Sequence, residues 1–185
     1  DVDMFCLLNS FEALGDDQGQ SVYGLLNIGH QMTSFAIIQN KVPFFVREIS
    51  MGGVSVSKAL AEIKNLSDDE ADRLKIEKRA DMADSLKEAT LKGLEPLAEE
   101  LRHSIDYFEN ETGEELKTIW TSGGGALALN AGEILTQELS RQVAPWNNLK
   151  KMSIFGDVDM AYLNDHSLEL NVALGMVLRG YEPKK

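Results

Sequence analysis

The chain has 185 residues, 43% of them hydrophobic and 26% charged, with only four prolines; such a chain supports one packed domain that buries roughly 70% of its unfolded surface and excludes a collagenous or disordered polymer. Its formal charge of −12 and pI near 4.7 disfavour a nucleic-acid or anionic-lipid surface, both of which are met with clustered Lys and Arg. No run approaches the ~20 apolar residues of a membrane span and no secretory signal is present, while Cys6, the only cysteine, rules out an intrachain disulfide and reads as a small buried hydrophobe.

DVDMFCLLNSFEAL sets Met4, Leu7, Leu8, Phe11 and Leu14 at helical spacing, and the predicted helix ends at Gly15. GDDQGQ follows as a polar turn. SVYGLLNIG, MTSFAIIQ and VPFFVREIS are short runs rich in Val, Ile and Phe, separated by GHQ and NK, and predict a three-stranded meander. MGGVSVSKALAEIKN opens on a glycine pair and turns amphipathic at Val54, Leu60 and Ile63, a helix packed on the sheet.

From Leu66 to about Glu115 charged residues dominate and no strand-like run appears, so this stretch reads as a helical insertion. Ser67 and Glu70 have capping-box spacing. Leu86, Thr90, Leu94, Leu97, Leu101, Ile105 and Phe108 recur at three- and four-residue steps as a core-facing stripe, which Pro96 should kink or divide into two helices. ELKTIWTSGGG returns to strand character, ALALNAGEILTQELSRQ resumes helical spacing at Leu127, Ile134 and Leu139, and SLELNVALGMVLRGYEP closes the chain as a helix with Pro183 beyond it. The order predicts an α/β fold with a mixed sheet flanked by helices.

Three stretches carry candidate chemistry. Gly123, Gly124 and Gly125 stand at a strand-to-helix turn, where a missing Cβ lets a flat ligand or a phosphate approach the backbone; a tight turn explains them as well. The pattern is neither GxGxxG nor a P-loop. In LLNIGHQMTSFAII a strand ends at Asn27, turns at Gly29 and returns through Thr33 or Ser34, a hairpin whose amides can cup a phosphate or simply close a turn. A carboxylate at the Asn27 position would ordinarily hold hydrated magnesium, and here the group is an amide. Gly52 and Gly53 begin a helix whose free amides favour an anion, or are a plain helix start. His30, His103 and His166 lack ligand spacing, GDD and DDEADR are not calcium loops, and no nucleophile elbow is present, so no catalytic residue and no metal ligand is assigned. Trp120 reads as a buried strand aromatic beside the glycines.

At these residues the sequence resembles a known family. NIGHQMTSFAIIQNKVPFFVREISMGG, LSDDEADRLK, SGGGA and LNVALGMVLRG, in that order, are similar to the second half of the type IV pilus assembly PilM family, bacterial relatives of FtsA in the actin-like ATPase superfamily. The resemblance implies a ribonuclease-H-like second lobe over 1–185 with a helical insertion subdomain at about 66–115. It implies that Asn27, Gly29 and Thr33 face phosphates and that Gly123, Gly124 and Gly125 lie against an adenosine. Ala71-Asp72-Arg73-Leu74-Lys75 is similar to the family's Ala-Glu-x-x-Lys segment, so Asp72 would meet ribose hydroxyls and Lys75 would lie near the base; one helical turn apart, they could equally be a solvated ion pair. Asn27 replaces the usual aspartate, His30 stands where a small residue is common, and Asp72 reaches one methylene less than glutamate.

The resemblance further implies a cytoplasmic scaffold of the type IV pilus inner-membrane machinery, peripheral to that membrane. Its partners would be the inner-membrane protein PilN, met through an N-terminal half absent from this chain, and other pilus machinery proteins, with no nucleic acid and no direct membrane insertion. The resemblance allows ATP with Mg2+ on the full-length protein, in a site weakened by these departures, and implies none on this fragment, because phosphoryl transfer relies on positioning from both sides of a cleft. The alternatives are an active actin-like ATPase at full length, or a type II secretion scaffold similar to the cytoplasmic domain of GspL.

Overall fold

The three Val-, Ile- and Phe-rich runs pair as an antiparallel meander, β1 (Val22–Ile28), β2 (Thr33–Gln39) and β3 (Val42–Ile49). The computed structural model describes residues 3–15 and 19–180. Part of the GDDQGQ turn, residues 16–18, and Pro183 therefore lie outside the described residues. β4 (Thr118–Ser122) pairs parallel with β1, and β5 (Gln142–Pro145) pairs parallel with β4, giving the mixed order β3-β2-β1-β4-β5. β5 is absent from the sequence reading: four residues, half exposed and ending in proline, carry no periodicity of their own.

β1 and β2 are buried along nearly their whole length, as strands covered on both faces are. Successive side chains alternate between two cores. Leu26, Ile28, Phe35 and Ile37 enter the larger one with residues of α2 (Gly53–Lys64) and α4 (Ala83–Thr112). Tyr23, Leu25, Ala36 and Ile38 enter the smaller one beneath α1 (Asp3–Leu14), where Phe11 touches Tyr23, Trp120 and Trp146. Cys6 is buried on α1, and α7 (Asn171–Gly180) crosses there through Gly175, whose missing Cβ would collide with the Cys6 carbonyl.

The stretch 66–115 folds as α3 (Asp68–Glu77) and α4, joined by a 3-10 turn. α3 starts on the capping box read from the sequence: the Glu70 amide donates to Ser67 Oγ at 3.4 Å, and the Ser67 amide donates to Glu70 Oε2 at 3.3 Å. All seven stripe residues of α4 are buried. Gly93 extends that stripe, since a Cβ there would lie 2.6 Å from the Val56 Cα; its absence lets α4 approach α2. α4 runs unbroken through Pro96, so no second helix starts there. Pro96 faces solvent, and burial of Leu94, Leu97, Ala98 and Leu101 on the opposite side offsets the hydrogen bond that proline removes.

Two helix starts differ from expectation. A 3-10 turn, Gly124–Leu127, takes in the last two glycines of the triplet and precedes α5 (Ala131–Leu139), so Leu127 is not part of the α-helix. Near the end, α6 (Met160–Asp165) and a 3-10 turn, Ser167–Leu170, precede α7, which begins at Asn171. No helix among the described residues is long and apolar enough to cross a membrane.

Candidate functional site

Parallel pairing of β1 with β4 aligns Asn27 with Ser122 and so brings two turns to the same end of the sheet. Gly123, with φ 86° and ψ 159°, occupies a backbone region open essentially to glycine alone. A Cβ on it would collide with the Ile28 carbonyl and stand 2.7 Å from Asn27 Oδ1. A Cβ on Gly125 would stand 2.9 Å from the Ile28 carbonyl oxygen and 3.0 Å from that of Gly29. Close backbone approach therefore accounts for two of the three glycines, while Gly124 is exposed.

The start of α2 joins the same cluster. A Cβ on Gly52 would lie 2.6 Å from both the Gly29 and His30 carbonyl oxygens, and one on Gly53 would lie 3.3 Å from the Gly125 Cα. The Gly53 amide donates to the Gly29 carbonyl at 2.9 Å and the Val54 amide to the His30 carbonyl at 2.8 Å. These amides are not free for an anion, which corrects the reading of this helix start: its donors hold the hairpin. Thr33 is 0% exposed and donates its hydroxyl to the Met51 carbonyl at 2.7 Å, so it points into the core and away from any phosphate. Strand alternation instead sets Ser34 beside Asn27, in a cleft of about 430 Å³ that also includes Asp3, His30 and Glu48 and has no Lys or Arg among its lining residues.

Asp72 and Lys75 meet on α3, yet they are not a solvated pair. Lys75 Nζ donates to Asp72 Oδ1 at 2.7 Å, to Ser57 Oγ at 2.7 Å and to the Gly53 carbonyl at 3.1 Å. The Lys75 side chain is only 13% exposed. The hydrogen bonds from Lys75 and then from Ser57 hold the Asp72 carboxyl below the usual carboxylate range. With its three protons committed, the ammonium braces α3 against α2 and has none left for a base.

Between α3 and the glycine turn lies a cleft of about 360 Å³, lined by Lys75, Ile76, Gly124, Leu127, His166 and Glu169 among others. A Cβ on Gly124 would stand 2.9 Å from Glu169 Oε1, so this carboxylate lies over the exposed glycine. His166 Nδ1 is 2.8 Å from Glu169 Oε2, and the His166 ring packs against Tyr162 with centroids 4.3 Å apart and planes tilted by 37°. Sequence reasoning missed His166, Glu169 and Ser57; the i,i+3 spacing of His166 and Glu169 was the only local signal for that pair. Among the described residues no group of three or more His, Cys, Asp or Glu could hold a metal ion.

A protein-family model described as type IV pilus assembly protein PilM matches residues 1–181. The chain belongs to this family. Among solved structures it is similar to the PilM-PilN type IV pilus biogenesis complex, with 27% identity and a TM-score of 0.80 over 99% of this chain and 53% of that chain. Ethanolamine utilization protein EutJ from Carboxydothermus hydrogenoformans is similar at 17% identity and TM-score 0.62, over 94% of this chain and 53% of that one. MreB 5 of Spiroplasma citri, solved bound to AMPPNP, is similar at 13% identity and TM-score 0.56, over 94% of this chain and 57% of that one. The last two likenesses show the fold alone, which is actin-like. The chain thus spans little more than half the length of these proteins.

Proposed function

We propose that this chain is the C-terminal lobe of a two-lobed actin-like scaffold of type IV pilus assembly, and that its cleft holds an adenine nucleotide without turning it over. The observation that carries the nucleotide part is the convergence of Gly29, Gly52, Gly53, Gly123 and Gly125 beside a cleft lined in part by Gly124, over which the Glu169 carboxylate lies. A planar ligand rests on backbone without a Cβ where the Glu169 side chain turns aside. The hairpin is poorer for chemistry: Asn27 adds no negative charge for a magnesium ion, and no Lys or Arg lines the neighbouring cleft to neutralise phosphates. Mg2+ and ATP, if bound, would be supported chiefly from the other lobe.

The partner assignment rests on family membership and on the likeness to a PilM held in complex with PilN. In this reading the cytoplasmic segment of a PilN-like protein binds the other lobe and keeps the scaffold peripheral to the inner membrane, where it meets further pilus machinery proteins. Calorimetric titration of the full-length protein with ATP and magnesium tests the nucleotide part: binding without turnover is expected, and absence of binding would end it. Turnover abolished by Asn27→Ala would favour a working ATPase. A PilN cytoplasmic segment should be captured by the full-length protein and not by residues 1–185; capture by residues 1–185 alone would put the groove in this half.

A further inference from the structure

The 3-10 turn Ser167–Leu170 carries Glu169 and is fixed to the glycine turn. The Gly123 amide and the Ser122 hydroxyl donate to the Leu168 carbonyl at 2.9 and 3.0 Å. Asn171, 0% exposed, donates to Ser122 Oγ at 3.1 Å and to the Trp146 carbonyl at 3.2 Å. These bonds hold the Glu169 backbone beside Gly124, so what can move is the Glu169 side chain, which is 45% exposed.

His166 sets where that side chain lies. A carboxylate only accepts, so His166 Nδ1 carries the proton it shares with Glu169 Oε2 at 2.8 Å. Tyr162 packs against the His166 ring, and the Tyr162 amide donates to Asp159 Oδ1 at 3.1 Å, which ties the ring to the start of α6. With Oε2 so held, Oε1 stands 2.9 Å from the place of a Gly124 Cβ, and the Glu169 Cγ and Cδ each stand 3.7 Å from it. Gly124 is the exposed member of the glycine triplet, and a ring lying on its bare backbone uses the space that Glu169 fills.

We propose that Glu169 is a side-chain gate on this cleft, closed over Gly124 in the free protein, latched by His166 and displaced by a planar ligand. This rests on the nucleotide reading above. Both partners of the latch are partly exposed, so it is weak: it lowers affinity by a small factor and does not forbid binding. A ligand reaches Gly124 only by breaking the His166 bond, and loss of either partner frees the cleft.

NMR of the full-length protein, joined to calorimetric titration with ATP and with AMP, tests this. In the free wild type a nuclear Overhauser contact is expected between the Glu169 γ-protons and a Gly124 α-proton, and saturation with ATP should abolish it. Glu169→Ala should bind ATP and AMP both about threefold tighter, the scale of one exposed ion pair. His166→Ala should weaken the Overhauser contact and tighten binding by a smaller factor, and the double variant should gain no more than Glu169→Ala. A gain larger for ATP than for AMP would mark plain charge repulsion and overturn the gate. Unchanged or weaker binding by Glu169→Ala overturns it too, as does an Overhauser contact that is missing from the free protein or survives saturation with ATP; each of these leaves nucleotide binding intact. Absence of binding by either nucleotide overturns both readings.

Discussion

Gly123 and Ile28 face each other across the junction of β4 and β1 so closely that a single methyl group on Gly123 would collide with the Ile28 carbonyl oxygen. The contact arises from parallel pairing of β1 with β4, and it requires a backbone at φ 86° and ψ 159°. Gly123→Ala incurs backbone strain of about 1–3 kcal/mol and overpacking of similar size, so a loss of about 3 kcal/mol is expected in urea unfolding. In Gly124→Ala the nearest obstacle is Glu169 Oε1 at 2.9 Å, the far end of an exposed side chain that can shift aside, and the change should stay within about 0.5 kcal/mol. Equal midpoints for the two variants would show that the close approach is not a constraint.

The stripe on α4 predicts a second contrast. Leu101 is fully buried and Leu91, on the same helix, is 45% exposed. Leu101→Ala should cost about 2–5 kcal/mol through lost burial and a residual cavity, whereas Leu91→Ala should cost about 0.5 kcal/mol or less. Denaturant unfolding of both variants compares them directly.

Pro96 stands exposed inside a continuous helix, where it supplies no amide to the carbonyl four residues earlier. Pro96→Ala restores that bond. It should stabilise the protein by about 2 kcal/mol, the helix-interior penalty of proline less its effect on the unfolded chain. A fall in melting temperature would show that the proline shapes the helix in a way its neighbours need.

Asp72 predicts a pH dependence. Its carboxyl is held below the ordinary value of 3.8 by Lys75 and Ser57, so the folded state binds this proton less readily than the unfolded state does. The contribution is therefore complete above the unfolded value and is lost as pH falls through the lower folded value. The stability difference between wild type and Asp72→Asn should be full at pH 7 and shrink once the pH drops below about 4. A difference that grows on acidification would contradict the assigned partners.

Much of the fold was legible because its signals are local. Ser67 and Glu70 cap α3 within four residues of chain, and the α4 stripe repeats at helical spacing, so both could be read without knowing what they pack against. The meander was equally readable, because its strands are joined by short polar turns. β5 was not: its partner, β4, lies on the far side of a whole helix, and four residues ending in Pro145 show no pattern. The site divides the same way. Thr33 and Ser34 both carry a small hydroxyl and were alternative candidates, and only the placement of Met51 and the larger core decided that Thr33 turns inward.

By itself the sequence determined the family, the glycine positions, the i,i+3 spacing of Asp72 and Lys75, and the amide at Asn27, since these are matters of residue identity and short-range order. Tertiary structure alone decided what those residues touch. Lys75 is committed to Ser57 and Gly53, the α2 amides are committed to the hairpin, and Glu169 lies over Gly124. Each of those partners comes from a distant part of the chain. A hydrogen bond between remote residues leaves no periodicity in either segment, so it becomes visible only once the sheet has set the segments side by side.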